Sequence, residues 1–229
     1  MRQLINKTLR KVGYRFSRLT TFEPLEALVY RNNCPEFFFV QIGGHDGKKY
    51  DPIHHYVTSF SWKGIIVEPV AEYFAALKET YKSYANVVLV KGAICEANGR
   101  VTIHKVNPAR SDLPAWSKGI ASLDADHHKK SNIPSDAIVK EEVEGITFDG
   151  LLERYRVNHI DLLQIDAEGY DYRIIKSLPF STVKPRLINF EHRIDQNVMT
   201  TAQLGELTTL LISNGYRIIM QENDCLAYL

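Results

Sequence analysis

Acidic side chains recur in this sequence at one kind of place. Glu68 follows the apolar run Ile65-Ile66-Val67, Asp166 and Glu168 follow residues 160–165, and Glu191 with His192 follows residues 186–190. Another apolar run, residues 37–42, leads into Gly43-Gly44-His45-Asp46-Gly47, and residues 86–90 precede Ala93-Ile94. Carboxylates that repeatedly close apolar runs are costly to bury unless something pairs with them. Three glycines in five positions let the backbone turn sharply and let a ligand approach with no Cβ in the way. Taken singly, each position has a plain structural use: Glu68 can cap a helix, Glu191 can pair with Arg193, and the glycines can simply turn the chain. Together they describe a binding site. Glu68 lies 25 positions past Gly43, close to the roughly 20-residue interval at which an acidic residue takes ribose hydroxyls. The loop is not G-x-G-x-x-G, and no Walker lysine or arginine cluster awaits phosphates. An adenosine ligand without a pyrophosphate suggests S-adenosylmethionine.

For these positions to meet, the apolar runs must be parallel strands sharing a carboxyl edge. Residues 37–42, rich in aromatic and β-branched types, read as a strand buried on both faces. Asp51-Pro52 reads as an N-cap and first helical position, opening a helix over 52–60. Lys63-Gly64 introduces a second buried strand ending at Glu68, Pro69 closes it, and a helix over 71–81 turns Tyr73, Phe74 and Leu77 inward. Residues 86–90 form a third strand, and Asn98-Gly99 turns the chain into an alternating strand over 100–106. This β-α-β-α-β order specifies a parallel sheet with right-handed crossovers. Farther on come a strand over 138–146, a helix over 148–155, a strand over 160–166, a helix over 171–177, a strand over 186–190 and a helix over 201–214. A hairpin, 216–220 with 225–229, ends the chain. The expected fold class is α/β and Rossmann-like: a mostly parallel central sheet with helices on both faces and a C-terminal antiparallel hairpin. Residues 107–137 break the rhythm with three prolines and a polar run over 124–132. An insertion of that length reads as irregular and as a substrate lid. His127-His128, with Asp124 and Asp126, fits no metal-ligand spacing and reads as a solvated polar stretch.

At 229 residues, 45% apolar and 24% charged with a net charge of +1, the chain has the make-up of a soluble globular protein. Nothing in that balance argues for nucleic acid as a partner. Residues 1–20 hold six of the 28 basic residues and none of the 27 acidic ones. Ile5, Leu9, Val12, Phe16 and Leu19 recur there at helical spacing, which describes a cationic amphipathic helix. Residues 1–32 are therefore read as an N-terminal helical segment, with a second short helix over 24–31, and 33–229 as the main domain. The first helix can dock on its own domain or on a partner protomer of a homo-oligomer. Alternatively it can lie peripherally on an anionic membrane surface. Cys34, Cys95 and Cys225 are odd in number and scattered, favouring a reducing compartment. With no apolar run of spanning length and no signal-like apolar core, the expected location is the cytoplasm, the inner membrane face being the alternative.

Five blocks carry a family likeness: residues 39–47, Ile66-Val67-Glu68-Pro69, Gly119-Ile120-Ala121-Ser122-Leu123, residues 145–152 (GITFDGLL) and residues 163–171 (LQIDAEGYD). In these blocks and their order, over about residues 37–195, the sequence resembles FkbM-type class I methyltransferases. The resemblance implies a Rossmann-like S-adenosylmethionine fold that methylates hydroxyl oxygens, often of sugars, glycans or related metabolites. It departs from the family pattern at Gln41, where an aspartate is common, at His45, where asparagine is common, and at Gln164, which heads the "K-I-D-V-E-G" block. The cofactor-binding set it implies is Gln41, Gly43, Gly44, His45, Asp46, Gly47, Glu68, Pro69, Ala93 and Ile94. In that set Glu68 holds the ribose, the 43–47 loop with Asp46 holds the methionine end, and Ala93-Ile94 holds the adenine.

A sugar hydroxyl does not ionise unaided at neutral pH, so such an enzyme needs a base or a metal. Asp166 and His192 are the candidate catalytic bases, with Glu168 and Glu191 as orienting groups. A Mg-like divalent cation bridging Asp166 and Glu191 is the alternative. Trp116, Tyr50 and Tyr56 are candidates to stack on a sugar face. Two rival functions compete with this one. A nicotinamide-dependent oxidoreductase would use the same scaffold but lacks its third-glycine spacing. A methyltransferase-like binding module that has lost catalysis would account for the substitutions at Gln41 and His45. Nucleic-acid methylation is not expected, because there is no basic stripe on the body and no N-P-P-Y-type motif.

Overall fold

The computed structural model describes residues 23–49 and 51–229. The cationic stripe expected over residues 2–19, and Tyr50, lie outside the described residues. From the start of the described chain come α1 (Pro24–Asn32), β1 (Phe38–Ile42), α2 (His54–Phe60), β2 (Lys63–Glu68), α3 (Ala71–Tyr81) and β3 (Val87–Lys91). A middle group follows: β4 (Ala93–Ile94), β5 (Gly99–Val106), β6 (Ala121–Ser122), α4 (His127–Lys130) and β7 (Ile138–Ile146). The rest comprises α5 (Phe148–Tyr155), β8 (Leu162–Ile165), α6 (Asp171–Lys176), β9 (Leu187–Glu191), α7 (Thr201–Ser213), β10 (Arg217–Met220) and β11 (Asp224–Tyr228).

Seven strands make one sheet in the order β10-β11-β9-β8-β1-β2-β3. β1 pairs in parallel with β2 on one side and β8 on the other, Gln41 lying between Ile66 and Gln164. The terminal hairpin adds antiparallel to β9, Cys225 opposite Phe190. The run from β1 leads outward through β2 and β3, then restarts at β8 on the opposite side, so the chain order reverses between β1 and β8. In open α/β sheets ligands bind at the carboxyl edge beside such a reversal.

The sheet's two faces carry separate cores. Phe39, Ile66 and Leu162 face α1, α2 and α3 through Val29, Ile53, Tyr56, Val57, Leu77 and Trp62. Val40, Ile42, Ile65, Val67 and Leu163 face α5, α6 and α7 through Leu151, Leu152, Ile174, Leu204, Leu207 and Leu211. Successive residues on a strand alternate between faces, so strands covered on both sides are mostly apolar, as β1, β8 and β9 are, and the polar side chains they carry are buried, Asn189 donating to Gln164 Oε1 at 2.9 Å. Local signals fix the helices on that frame. Thr200 and Gln203 form a capping box at the start of α7, and Thr147 Oγ1 accepts from Gly150 N at 3.0 Å to start α5. Among the described residues, no helix is long and apolar enough to cross a membrane.

A second, four-stranded sheet in the order β4-β7-β5-β6 departs from the expected β-α-β-α-β rhythm. The strand over 100–106 pairs antiparallel with β7, not with the main sheet. Ala93-Ile94 is itself a short strand, parallel to Gly145-Ile146. Gly92 lets the chain cross between the sheets: a Cβ there would stand 2.9 Å from Ile146 Cδ1 and 3.0 Å from the Glu144 carbonyl oxygen. Lys105, almost buried on β5, ties this sheet to α3 by an ion pair to Glu72 at 2.6 Å while also pairing with Glu141 of β7 at 2.7 Å.

The 107–137 insertion is more ordered than its composition predicts. Its β6 extends the second sheet, Ala121 opposite Lys105, and His127 and His128 are buried rather than solvated. His128 bridges the Ala125 carbonyl oxygen at 2.9 Å and Ser135 Oγ at 3.0 Å, pinning its own loop. Tyr56 also departs from expectation. It is buried in the core, its ring stacked 5.9 Å from that of Trp62, which leaves no face for a sugar.

Candidate active site

The loop after β1 lies against the loop after β8. Asp166 N donates to the Ile42 carbonyl oxygen at 2.9 Å, and Gly43 N and Gly44 N both donate to the Val67 carbonyl oxygen at 3.0 and 3.1 Å. The glycines are needed here for packing rather than for ligand approach. At Gly43 (φ +84°) a Cβ would fall 1.8 Å from the Asp166 carbonyl oxygen, and at Gly47 (φ +68°) 2.5 Å from Leu77 Cδ1 beneath α3.

A cavity of about 610 Å³ opens at this edge. Of the residues expected to bind cofactor, Gln41, Gly43, Gly44, His45, Asp46, Glu68, Pro69, Ala93 and Ile94 line it, and so do Asp166 and Glu168. Gly47 does not, being packed under α3. The second sheet adds Ile103. From the insertion come Trp116, Lys118 and Ile120, Trp116 half open to solvent. Tyr73 joins loop to insertion: its ring lies 4.0 Å from that of His45, and its hydroxyl donates to the Lys118 carbonyl oxygen.

Glu68 is almost fully buried, yet its carboxylate is held on both oxygens. Oε2 accepts from His45 N and Oε1 from Val70 N, each at 2.8 Å. Burial pushes its pKa up to about 7 although both amides favour the charged form. Each oxygen keeps acceptor capacity for a further donor, such as a ribose hydroxyl. Asp46 is less available than expected, since Oδ1 accepts from Lys48 N and Lys49 N to close its own turn.

Across the cavity, burial first, and then the charges of Glu168 and Glu191, hold the Asp166 pKa well above the usual carboxylate range. Glu168 and Gly169 are consecutive left-handed residues (φ +48° and +87°), a conformation that costs a non-glycine residue about 1 kcal/mol or more and gathers at functional sites. The insertion supports that turn. Ser122 Oγ donates to the Glu168 carbonyl oxygen at 2.7 Å, and His127 Nε2 sits 3.0 Å from Glu168 Oε2. His127, read from the sequence as part of a solvated stretch, is thus a buried support of the site behind the cavity wall. Its partner is 41 positions away, and only the buried docking of the insertion brings the two together.

His192 does not line the cavity. Its Nε2 is 3.2 Å from the Gln221 carbonyl oxygen and its Nδ1 accepts from Ile194 N, so the ring fastens the β9 turn to the terminal hairpin. Of the two candidate bases, Asp166 alone therefore faces the cavity. Glu191 stands behind the wall, its Oε1 2.6 Å from Arg193 Nε, with a pKa of about 8 raised by burial and by Glu168 and Asp171. With that carboxylate taken by Arg193, the Asp166–Glu191 bridge expected for a cation is not formed. Among the described residues no three His, Cys, Asp or Glu side chains are gathered as a metal-binding group.

Gln41 on β1 and Asp51 before α2 meet on the cavity wall. Burial raises the Asp51 pKa, against a side-chain hydrogen bond from Gln41. The helix expected from residue 52 starts instead at His54, with Ile53 at the N-cap; Asp51 serves that start from two residues earlier, its Oδ1 accepting from Ile53 N at 2.8 Å and His54 N at 2.9 Å.

Comparison with known proteins identifies the family. Residues 41–218 match the family described as Methyltransferase FkbM domain. A methyltransferase FkbM from Methylobacillus flagellatus KT superposes with a TM-score of 0.54 at 12% identity, covering 85% of this chain. This chain spans only 44% of that protein. The METTL16 MTase domain gives a TM-score of 0.48 at 14% identity, covering 99% of this chain and 78% of its own. Fibrillarin from Aeropyrum pernix, in complex with natively bound S-adenosyl-L-methionine, gives 0.41 at 10% identity, covering 84% and 66%. At such identities the likeness to the first is one of fold. No curated protein matches the sequence significantly.

Proposed function

The chain belongs to the FkbM family of S-adenosylmethionine-dependent methyltransferases, and from that premise we propose that it methylates a hydroxyl oxygen of a sugar, glycan or related metabolite. The observation that carries the reading is the pairing, across one cavity, of two unlike carboxylates. Glu68 is fixed by backbone amides and suited to accept from ribose hydroxyls. Asp166 has a raised proton affinity and suits proton removal. S-adenosylmethionine, when bound, supplies a methyl group already activated on sulfur. Ala93, Ile94 and Ile103 offer an apolar wall for the adenine, and residues 43–46 border the methionine end.

What remains for the protein is to align the acceptor oxygen and take its proton. We assign that proton to Asp166, with Glu168 oriented beside it by His127. The half-open ring of Trp116 and the Lys118–Ile120 segment make the acceptor side of the cavity, a mixed polar and apolar surface that suits a sugar ring.

Calorimetry with S-adenosylhomocysteine, and label transfer from methyl-labelled S-adenosylmethionine into fractionated cell extract, test this together. Wild type should bind, Glu68→Ala should bind at least about 30-fold more weakly, and label should enter the glycan or small-metabolite fraction. Label in RNA or protein would overturn the acceptor class. Binding with no transfer into any fraction would instead favour a methyltransferase-like module without catalysis.

A further inference from the structure

Tyr73 stands in the first turn of α3 and lines the cavity. Its ring is anchored from two directions. On one side it lies 4.0 Å from the ring of His45, the residue whose amide holds Glu68 Oε2. On the other it packs on a small apolar cluster of Val70, Ala93, Ile103 and Val143, and Ala121 and Leu123 of the insertion pack on that same cluster. A ring fixed in this way makes its hydroxyl a fixed point. Burial, and then the charges of Glu72, Glu68 and Glu168, push the Tyr73 pKa up to about 12, so the hydroxyl remains a donor throughout the neutral range. It spends that proton on the Lys118 carbonyl oxygen.

Lys118 belongs to a short 3-10 turn, Ala115–Gly119, which presents Trp116 at the cavity. Four residues after Lys118, Ser122 Oγ donates to the Glu168 carbonyl oxygen at 2.7 Å. Residues 118–122 are therefore strung between two ties, one to α3 and one to the loop that carries Asp166. A phenylalanine would fill the same apolar space, so packing alone does not call for the hydroxyl. We propose that Tyr73 is a positioning residue for the acceptor, its hydroxyl fixing the Trp116 turn over the cavity in register with the Glu68 side. This rests on the S-adenosylmethionine reading above and adds to it the side chain that sets acceptor against cofactor. The reacting oxygen must come within about 3–3.5 Å of the methyl carbon, so an acceptor wall that drifts loses productive poses even while the cofactor is held.

Tyr73→Phe keeps the ring against His45 and removes only the tie. In the ligand-free protein, amide hydrogen exchange over residues 115–120 should quicken about 3- to 10-fold, with β1 unchanged. Calorimetry should give S-adenosylhomocysteine affinity within about twofold of wild type. Transfer of label into serial dilutions of the accepting extract fraction should show an apparent KM about 3- to 10-fold higher, the rate returning toward wild type in the undiluted fraction. Unchanged exchange over 115–120, or a lower limiting rate with the apparent KM unmoved, would overturn the assignment while leaving the cofactor reading intact. A wild-type protein that binds no S-adenosylhomocysteine would overturn the cofactor reading, and the exchange comparison, made without ligand, would still decide whether the tie holds the turn.

Discussion

Asp166 senses two other carboxylates, Glu168 and Glu191, and their charge adds to burial in raising its proton affinity. Only the ionised form can take a proton, so turnover should still climb with pH above the range in which an ordinary carboxylate would already give a flat profile. Asp166→Asn should lower turnover about 10²- to 10⁴-fold and remove that climb, with S-adenosylhomocysteine affinity within about twofold of wild type. Label transfer measured from pH 5 to 9 on both proteins checks this, and a climb that survives in the variant would place the base elsewhere. At this scale the sequence was informative where spacing along the chain mirrors spacing along the strand edge, as for Glu68 after Gly43. Asp51 was legible only as a cap, because Pro52 beside it describes a helix start and nothing local reveals its side-chain hydrogen bond from Gln41. His192 follows a strand end just as Glu68 does, but its ring turns toward Gln221, a contact 29 positions away.

The central strands of the main sheet were legible because β1, β2, β8 and β9 are covered on both faces and so read as mostly apolar runs. The second sheet was not. β4 is two residues long and its partner Gly145 is more than fifty positions away, while the alternation of β5 is equally compatible with the edge of the main sheet. What marks β5 as belonging elsewhere is Lys105, buried against Glu72 of α3 and Glu141 of β7. Lys105→Met should leave those two carboxylates facing each other without a cation. Both keep some contact with water, so the expected loss is about 1–3 kcal/mol, read as a lower urea midpoint at unchanged slope. Adding Glu72→Gln to that variant should return part of the loss if the three charges act as a unit. A Lys105→Met protein as stable as wild type would mean that the apolar contacts of β5 and β7 alone attach the second sheet.

Across the whole molecule, the carboxyl edge of the sheet stores protons. Burial raises Glu68 to about 7, Asp171 to about 6 and Glu191 to about 8, so the folded protein binds protons there that the unfolded chain releases. Each such group contributes stability that is complete below its unfolded pKa, near 4.5 for a glutamate, and that is lost as pH rises through the folded value. For Glu68 that window runs from about 4.5 to about 7. The ligand-free protein should therefore lose stability relative to Glu68→Gln across it, and melting curves of both proteins from pH 4.5 to 8 provide the comparison. A gap that stays constant with pH would mean that Glu68 ionises in the folded state as it does in the open chain.

The contact between residue 43 and the backbone of residue 166 also bears on how such a protein can change over generations. A side chain at 43 would push directly on the backbone of the segment that carries the base, so position 43 is closed to substitution whatever residue stands at 166. Trp116, half open to solvent on the far side of the cavity, carries no such constraint, so substitutions there can reshape the acceptor side while the glycine loop keeps its form.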